Sequence, residues 1–209
     1  MPNSITQASK IVPVLDIQFE NEVQFKTTES ALRKICAGPN GRRLIQSIED
    51  ATTNDKRITI IVNESEEDSS GLSGAMTEEM KTDYHGNKDP NSYEHRHKVY
   101  EYSSNGIGAK PLVFYNPNHS ILVDINGMPR SANISNLAFI GLAHELVHAY
   151  YMMIGRGFGT EPSTSAINDP EHYREEIRAV GMGEFENTSL SENGIRRDHG
   201  LPLRNAYFE

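Results

Sequence analysis

His144-Glu145-Leu146-Val147-His148 sets two imidazoles four residues apart, with a carboxylate directly after the first. On a helix, positions i and i+4 share a face, so both rings can converge on one Zn2+ while Glu145 leans over the same site. The flanks supply the helix. From Ser135 to Ile154 there is no Pro and no Gly except Gly141, and Leu137, Phe139, Ile140, Leu142, Met152 and Met153 surround the motif with apolar side chains. Ser135 stands as an N-cap and Gly155 as the residue beyond the helix end. A helix apolar almost all round is a buried element covered on several sides. His144, Glu145 and His148 are its charge-bearing residues, and a metal is a natural common partner for groups that are costly to bury alone.

A catalytic zinc takes three protein ligands and leaves one position open, so a third ligand is needed. Glu161, Asp169, Glu171, His172, Glu175, Glu176, Glu184 and Glu186 lie downstream. Asp169-Pro170 opens a second helix to about Val180, with Asp169 as N-cap and Pro170 at the first helical position. A ligand on a helix is held more firmly than one on a loop, which favours Glu175 and Glu176 in the middle of that helix. These two point about 100° apart, and periodicity does not choose between them. His172, in the first turn, lies too far along the helix to join them. Gly155-Arg156-Gly157-Phe158-Gly159 follows a helix rather than a strand, so it reads as a connection and not as a phosphate cradle. The connection runs on to Asn168, and long loops of this kind often border sites.

Upstream, Thr28 to Ala37 and Arg42 to Ala51 read as helices broken by Gly38-Pro39-Asn40-Gly41, with Leu44, Ile45 and Ile48 inward on the second. Arg57 to Val62 is a β-branched run and reads as a central strand. Residues 63–98 are acidic and polar and read as a long excursion, its run from Glu64 to Asp68 a solvated face, and Val99 to Tyr102 as a return to the sheet. His95 and His97 read as a solvated pair. Leu112 to Tyr115 and Ile121 to Ile125 flank Asn116-Pro117-Asn118-His119 and read as a β-hairpin, the candidate edge for an extended peptide. Met152 and Met153 read as core filler, and Cys36 as a small buried hydrophobe.

Acidic residues outnumber basic ones 29 to 20 in 209, which argues against a general nucleic-acid binder. One cysteine excludes an intrachain disulfide, and no stretch is long and apolar enough to span a bilayer. The first residues lack the basic start and apolar run of a secretory signal, while their Ser, Thr and Asn content is compatible with a type III export signal. The expected organisation is an export or targeting segment at 1–27 and a single α+β domain at 28–209, acting as a monomer.

HELVHA followed by EEIRAVG resembles the catalytic signature of the clostridial neurotoxin light chains. That resemblance implies that Glu176 is the third zinc ligand and Glu175 its neighbour, although the stretch between the two helices is shorter here. Arg204 and Tyr207 form an Arg-x-x-Tyr pair similar to one facing the metal in those light chains, and a guanidinium and a phenol are suitable donors to an oxyanion. LAHELVHA, EEIRAVG and SENGIRRDHGLPLR (Ser191 to Arg204) together are similar to the type III secreted effector metalloproteases of the non-LEE-encoded effector D family. That family implies a zincin-like fold, a small mixed sheet packed on the motif helix and the second ligand-bearing helix, with one Zn2+ per chain. It also implies an endopeptidase injected into the host cell cytoplasm that cuts stress-activated MAP kinases of the JNK class in their activation loop. His199, inside the shared run, becomes a candidate for supporting a ligand or touching substrate. In the implied mechanism His144, His148 and Glu176 would hold the zinc, which would supply acidity to a water, and Glu145 would take that water's proton and pass it to the leaving amine. The alternative is a non-catalytic kinase-binding protein stapled by a structural zinc.

Overall fold

A computed structural model describes residues 4–65, 70–158 and 169–207. Among these, five strands form one mixed sheet in the order β1 (Ile5–Ala8), β2 (Asp16–Phe19), β3 (Thr59–Val62), β5 (Lys110–Tyr115), β4 (Gly71–Ala75). The inner strands β2, β3 and β5 run parallel, and β1 and β4 run antiparallel to them at the two edges. The β-branched run read as a central strand is β3, and the burial of Ile58, Ile60 and Val62 explains its nearly continuous apolar character.

Helices α1 (Glu22–Ile35) and α2 (Pro39–Ala51) connect β2 to β3. α1 begins earlier than its apolar pattern implies because the Asn21 side chain accepts from the backbone N–H of Val23 and Gln24. The boundary expected after residue 27 therefore falls inside a helix. Val12, Leu15, Ile17, Phe19 and Phe25 all belong to the core, so the segment set aside for export also builds the first two strands. α2 starts at Pro39, three residues before the Arg42 that its pattern implies, because Pro39 suits the first helical position and the next amides are capped from a distance: Asp198 Oδ2 accepts from Asn40 N–H and Gly41 N–H at 2.8 and 3.0 Å.

The polar excursion holds more structure than its composition suggests. It contains β4, α3 (Glu78–Asp83) and the start of α4 (Tyr93–Ser104), so Val99 to Tyr102 is helical and does not return to the sheet. Ser92 caps α4 by accepting from His95 N–H. Val99 then packs with Met76, Met80, Ala109 and Met152 in a satellite core. β4 can be glycine-rich and still ordered because a Cβ at Gly74 would lie 2.5 Å from Val99 Cγ1, so the missing side chain is what lets strand and helix meet.

The expected hairpin is also redrawn. β5 lies inside the large sheet, and β6 (Ser120–Val123) pairs with β7 (Pro129–Ala132) instead. Asn116 turns the chain out of the sheet, accepting from Asn118 N–H and donating to the Ser65 carbonyl. The true hairpin turn contains Asn126-Gly127, with Gly127 at φ 81°.

The motif helix is α5 (Ala138–Met153), entered through a short 3-10 turn at Ser135–Leu137, so Leu137 rather than Ser135 is its cap residue. It ends at Gly155 with φ 67°, as expected. α5 touches α1, α2, β4, β5 and β6, and Leu142, Ala143, Leu146 and Val147 are fully buried. Truncating Leu146 to Ala would cost about 2–5 kcal/mol through lost burial and the cavity left behind. α6 (Pro170–Val180) and α7 (Glu192–Asp198) pack on the same helix. The result is α+β, a small mixed sheet against the motif helix and its partner.

Candidate active site

α5 presents His144 and His148 one turn apart with their Nε2 atoms 3.0 Å from each other. Glu176 Oε2, from α6, lies 3.1 and 3.3 Å from the same two nitrogens. Asp169 starts α6 by accepting from Glu171 and His172 N–H, and Gly181 at φ 81° ends it, so the glutamate stands at a fixed height against α5. The Nδ1 atoms face outward to carboxylates: His144 to Glu192 at 3.0 Å and His148 to Glu175 at 3.1 Å. A carboxylate there keeps the proton on Nδ1 and leaves Nε2 with a bare lone pair. Two lone pairs and a carboxylate oxygen then converge, with all three ligand atoms within 4.8 Å of one another, an arrangement that repels unless a cation lies among them. These donors fit a divalent metal such as zinc.

Protons answer the same demand when no metal does. Burial opposes the charged form of His144, but its hydrogen bonds to Glu176 and Glu192 prevail and raise its pKa to about 9. His148 is likewise raised well above its ordinary value, with Glu176 and Glu175 overcoming burial. Burial would raise Glu176, yet the two histidines hold it well below the usual carboxylate range.

Glu145 stands where two cavities meet. One, about 340 Å³, runs past Tyr100, His172 and Phe158; the other, about 230 Å³, runs toward Ser120, Ile121 and Ile140. Both share Ser70, His144, Glu145 and Tyr207. Burial raises the Glu145 pKa against the pull of the two histidines. The Tyr207 hydroxyl hydrogen-bonds Glu176, and burial with the nearby carboxylate raises its pKa. Arg204 borders the smaller cavity, but its guanidinium is engaged: Nη1 donates to Glu192 at 3.0 Å, and Nε and Nη2 donate to the carbonyls of Ala206 and Tyr207.

The remaining candidates fall outside the cluster. Asp169 is a cap, Glu184 pairs with Arg174, and Glu171 and Glu186 bring no ligand atom to it. Glu161 lies outside the described residues. His172 lines the larger cavity, stacked on Tyr100, without joining the metal donors. His199 is not at the site: Nε2 meets the Lys34 carbonyl and the ring packs edge-on to Phe139. His95 and His97 sit on α4, where i and i+2 diverge; His95 is buried against Tyr84 and His97 lies beside Tyr93. His119 pairs with Ser131. Of the acidic run from 64 to 68, Glu64 accepts from Gln24, and 66–68 lie outside the described residues. The sequence reading missed Glu192 and Arg196 behind His144 and Arg178 behind His148, and it gave Arg204 a direct part where the guanidinium instead bonds Glu192. Ser191-Glu192 followed by Arg196 did carry a signal, an N-cap and an i,i+4 ion pair, but nothing local marks the pair as buried against His144.

The sequence profile of Peptidase M91, described as effector protein, matches residues 15–207. The chain belongs to this family. It is a metalloendopeptidase and an effector with a host protein as its target, and the His144, His148 and Glu176 donors are what an M91 chain offers a metal here. Two structures of Clostridium botulinum neurotoxin serotype F are similar to it: the light chain at TM-score 0.47 and 15% identity, and the catalytic domain at 0.48 and 15%. Each alignment covers 88% of this chain and 67% or 66% of the other. The light chain of botulinum neurotoxin serotype HA aligns at TM-score 0.40 and 14% identity, over 63% of this chain and 34% of that one. No curated protein matches the sequence.

Proposed function

We propose that this M91 peptidase is a zinc endopeptidase, delivered by a type III route into the host cytoplasm, that cuts a stress-activated MAP kinase of the JNK class within its activation loop. The observation that carries the hydrolytic reading is the convergence of His144, His148 and Glu176 beneath a cleft in which Glu145 remains outside the donor set. A structural zinc would be closed by four protein ligands, whereas three donors converge among the described residues, which favours catalysis over a stapled kinase-binding protein. The kinase and the route rest on the resemblance carried jointly by LAHELVHA, EEIRAVG and the run Ser191 to Arg204, and the route also on the Ser, Thr and Asn content of the first residues. Residues 1–27 would serve export as well as the sheet, and the chain would act as a monomer.

His144, His148 and Glu176 would hold the ion, which when bound supplies Lewis acidity to a water and a carbonyl. Glu145 takes a proton during attack and returns it to the leaving amine, a task its raised pKa suits. Tyr207, which lines both cavities, would turn its hydroxyl from Glu176 to donate to the developing oxyanion. Arg204 acts from behind, holding Glu192 and the Tyr207 carbonyl, so its part is positioning. Because β5 is interior, the peptide backbone would pair along the outer edge of β4, whose Gly71 and Leu72 border the cavity.

The test is incubation with purified stress-activated kinases, with and without a chelator, and mass measurement of the fragments. One cut in the activation loop is expected, lost with the chelator and lost in Glu145→Gln while the metal stays bound. Full cleavage by Glu145→Gln would remove the mechanism. Intact kinases alongside cleavage of another host protein would replace the substrate.

A further inference from the structure

We infer that Arg178 decides which of the two adjacent glutamates of α6 binds the metal, by holding Glu175 as the partner of His148 Nδ1 and so leaving Glu176 as the ligand. This rests on the metallopeptidase reading of the site. Glu175 and Glu176 lie side by side against the same histidine, and both are carboxylates able to take a metal. Glu175 is fully occupied: Oε1 meets His148 Nδ1 at 3.1 Å, and Oε2 accepts from Phe158 N–H at 2.7 Å and from Arg178 Nη2. Arg178 is 4% exposed, with its guanidinium 3.6 Å from the centre of the Tyr151 ring and 4.2 Å from that of Phe158. Nη1 donates to the Arg156 carbonyl, and Nε is buried without an acceptor among the described residues. Burying a guanidinium with one nitrogen unsatisfied is costly, and the carboxylate it bonds is Glu175. Arg178 does not line the cleft, so it is a positioning residue. Arg156 and Phe158 begin the connection that leads to α6. Arg178 and Glu175 therefore tie that segment to the orientation of His148.

The experiment uses the full chain and reads Zn2+ affinity by chelator competition and the visible absorption of the Co2+ form, in Arg178→Met, Arg178→Lys, Glu175→Gln and the double variant Arg178→Met/Glu175→Gln. Arg178→Met should weaken Zn2+ binding about 10–100-fold, the usual range for a partner behind a ligand. Its Co2+ bands should shift as the released Glu175 enters the coordination shell, and Arg178→Lys, which keeps the charge, should fall between it and the unaltered chain. In the Glu175→Gln background, Arg178→Met should change neither affinity nor spectrum further. Unchanged affinity and bands in Arg178→Met, or an equal effect with and without Glu175, would overturn the inference. Circular dichroism checks folding. If Arg178→Met does not fold, the intermediate shift of Arg178→Lys and its cancellation by Glu175→Gln decide in the same way. An unaltered chain that binds neither ion would instead overturn the metallopeptidase reading itself.

Discussion

His144 and His148 are alike in chemistry and one helical turn apart, yet the regions that hold them differ. Behind His144 stands Glu192 of α7, 2% exposed, accepting from both Arg196 and Arg204. Arg196 is itself fully buried and reaches on to the Ile121 carbonyl of β6. Behind His148 stands Glu175, held by one arginine and one backbone N–H at the start of the connection to α6. The first support is continuous with the core, so altering it alters the fold. The second rests on a segment that also lines the cleft, where metal geometry and substrate contact can be adjusted with the core intact.

The largest expected effect tests that contrast. Glu192→Ala leaves two buried guanidinium groups without their carboxylate and should cost about 3–5 kcal/mol, read from urea denaturation of the metal-free chain. Glu175→Ala should cost less, about 1–3 kcal/mol, because it strands one guanidinium rather than two and Glu175 is itself less buried than Glu192. Equal losses would erase the distinction between a core support and a loop support. Asp198→Ala comes next. It removes the acceptor from the first amides of α2 and should cost about 1–2 kcal/mol in the same measurement, as loss of a helix cap does. Metal affinity should not change, since Asp198 steadies the far end of α7 rather than Glu192; a weakened metal would mean that the His144 support extends along the whole helix.

Legibility in the sequence follows the same division. The i,i+4 histidines, the Asp169-Pro170 cap and Gly155 are set by contacts within a helix or at its ends, and they stand where the sequence reading puts them. Glu192 is 48 residues from His144, and Phe158 is 17 from Glu175, separations no periodicity encodes. Composition misled at β4 because its order comes from pairing with β5 and from the close approach at Gly74. The hairpin was misassigned for a related reason: Asn116-Pro117-Asn118 looks like a hairpin turn, but Asn116 is bonded to Ser65, while the stronger Asn126-Gly127 signal lies one strand later.

Arg174→Ala should have the smallest effect and draws the outer limit of the His148 support. Arg174 lies one turn before Arg178 on α6, with its guanidinium 4.3 Å from the centre of the Phe158 ring, and it pairs with Glu184 at 2.8 Å. Both arginines thus grip the same phenylalanine, but only Arg178 also bonds Glu175. If His148 is oriented through the carboxylate, losing Arg174 should leave Zn2+ affinity within about twofold, since an exposed ion pair contributes little. If it is oriented by the fixed position of Phe158, Arg174→Ala should weaken the metal as Arg178→Met does, because Phe158 N–H would move away from Oε2. Chelator competition on the two variants side by side separates a support made of charge contacts from one made of a clamped segment.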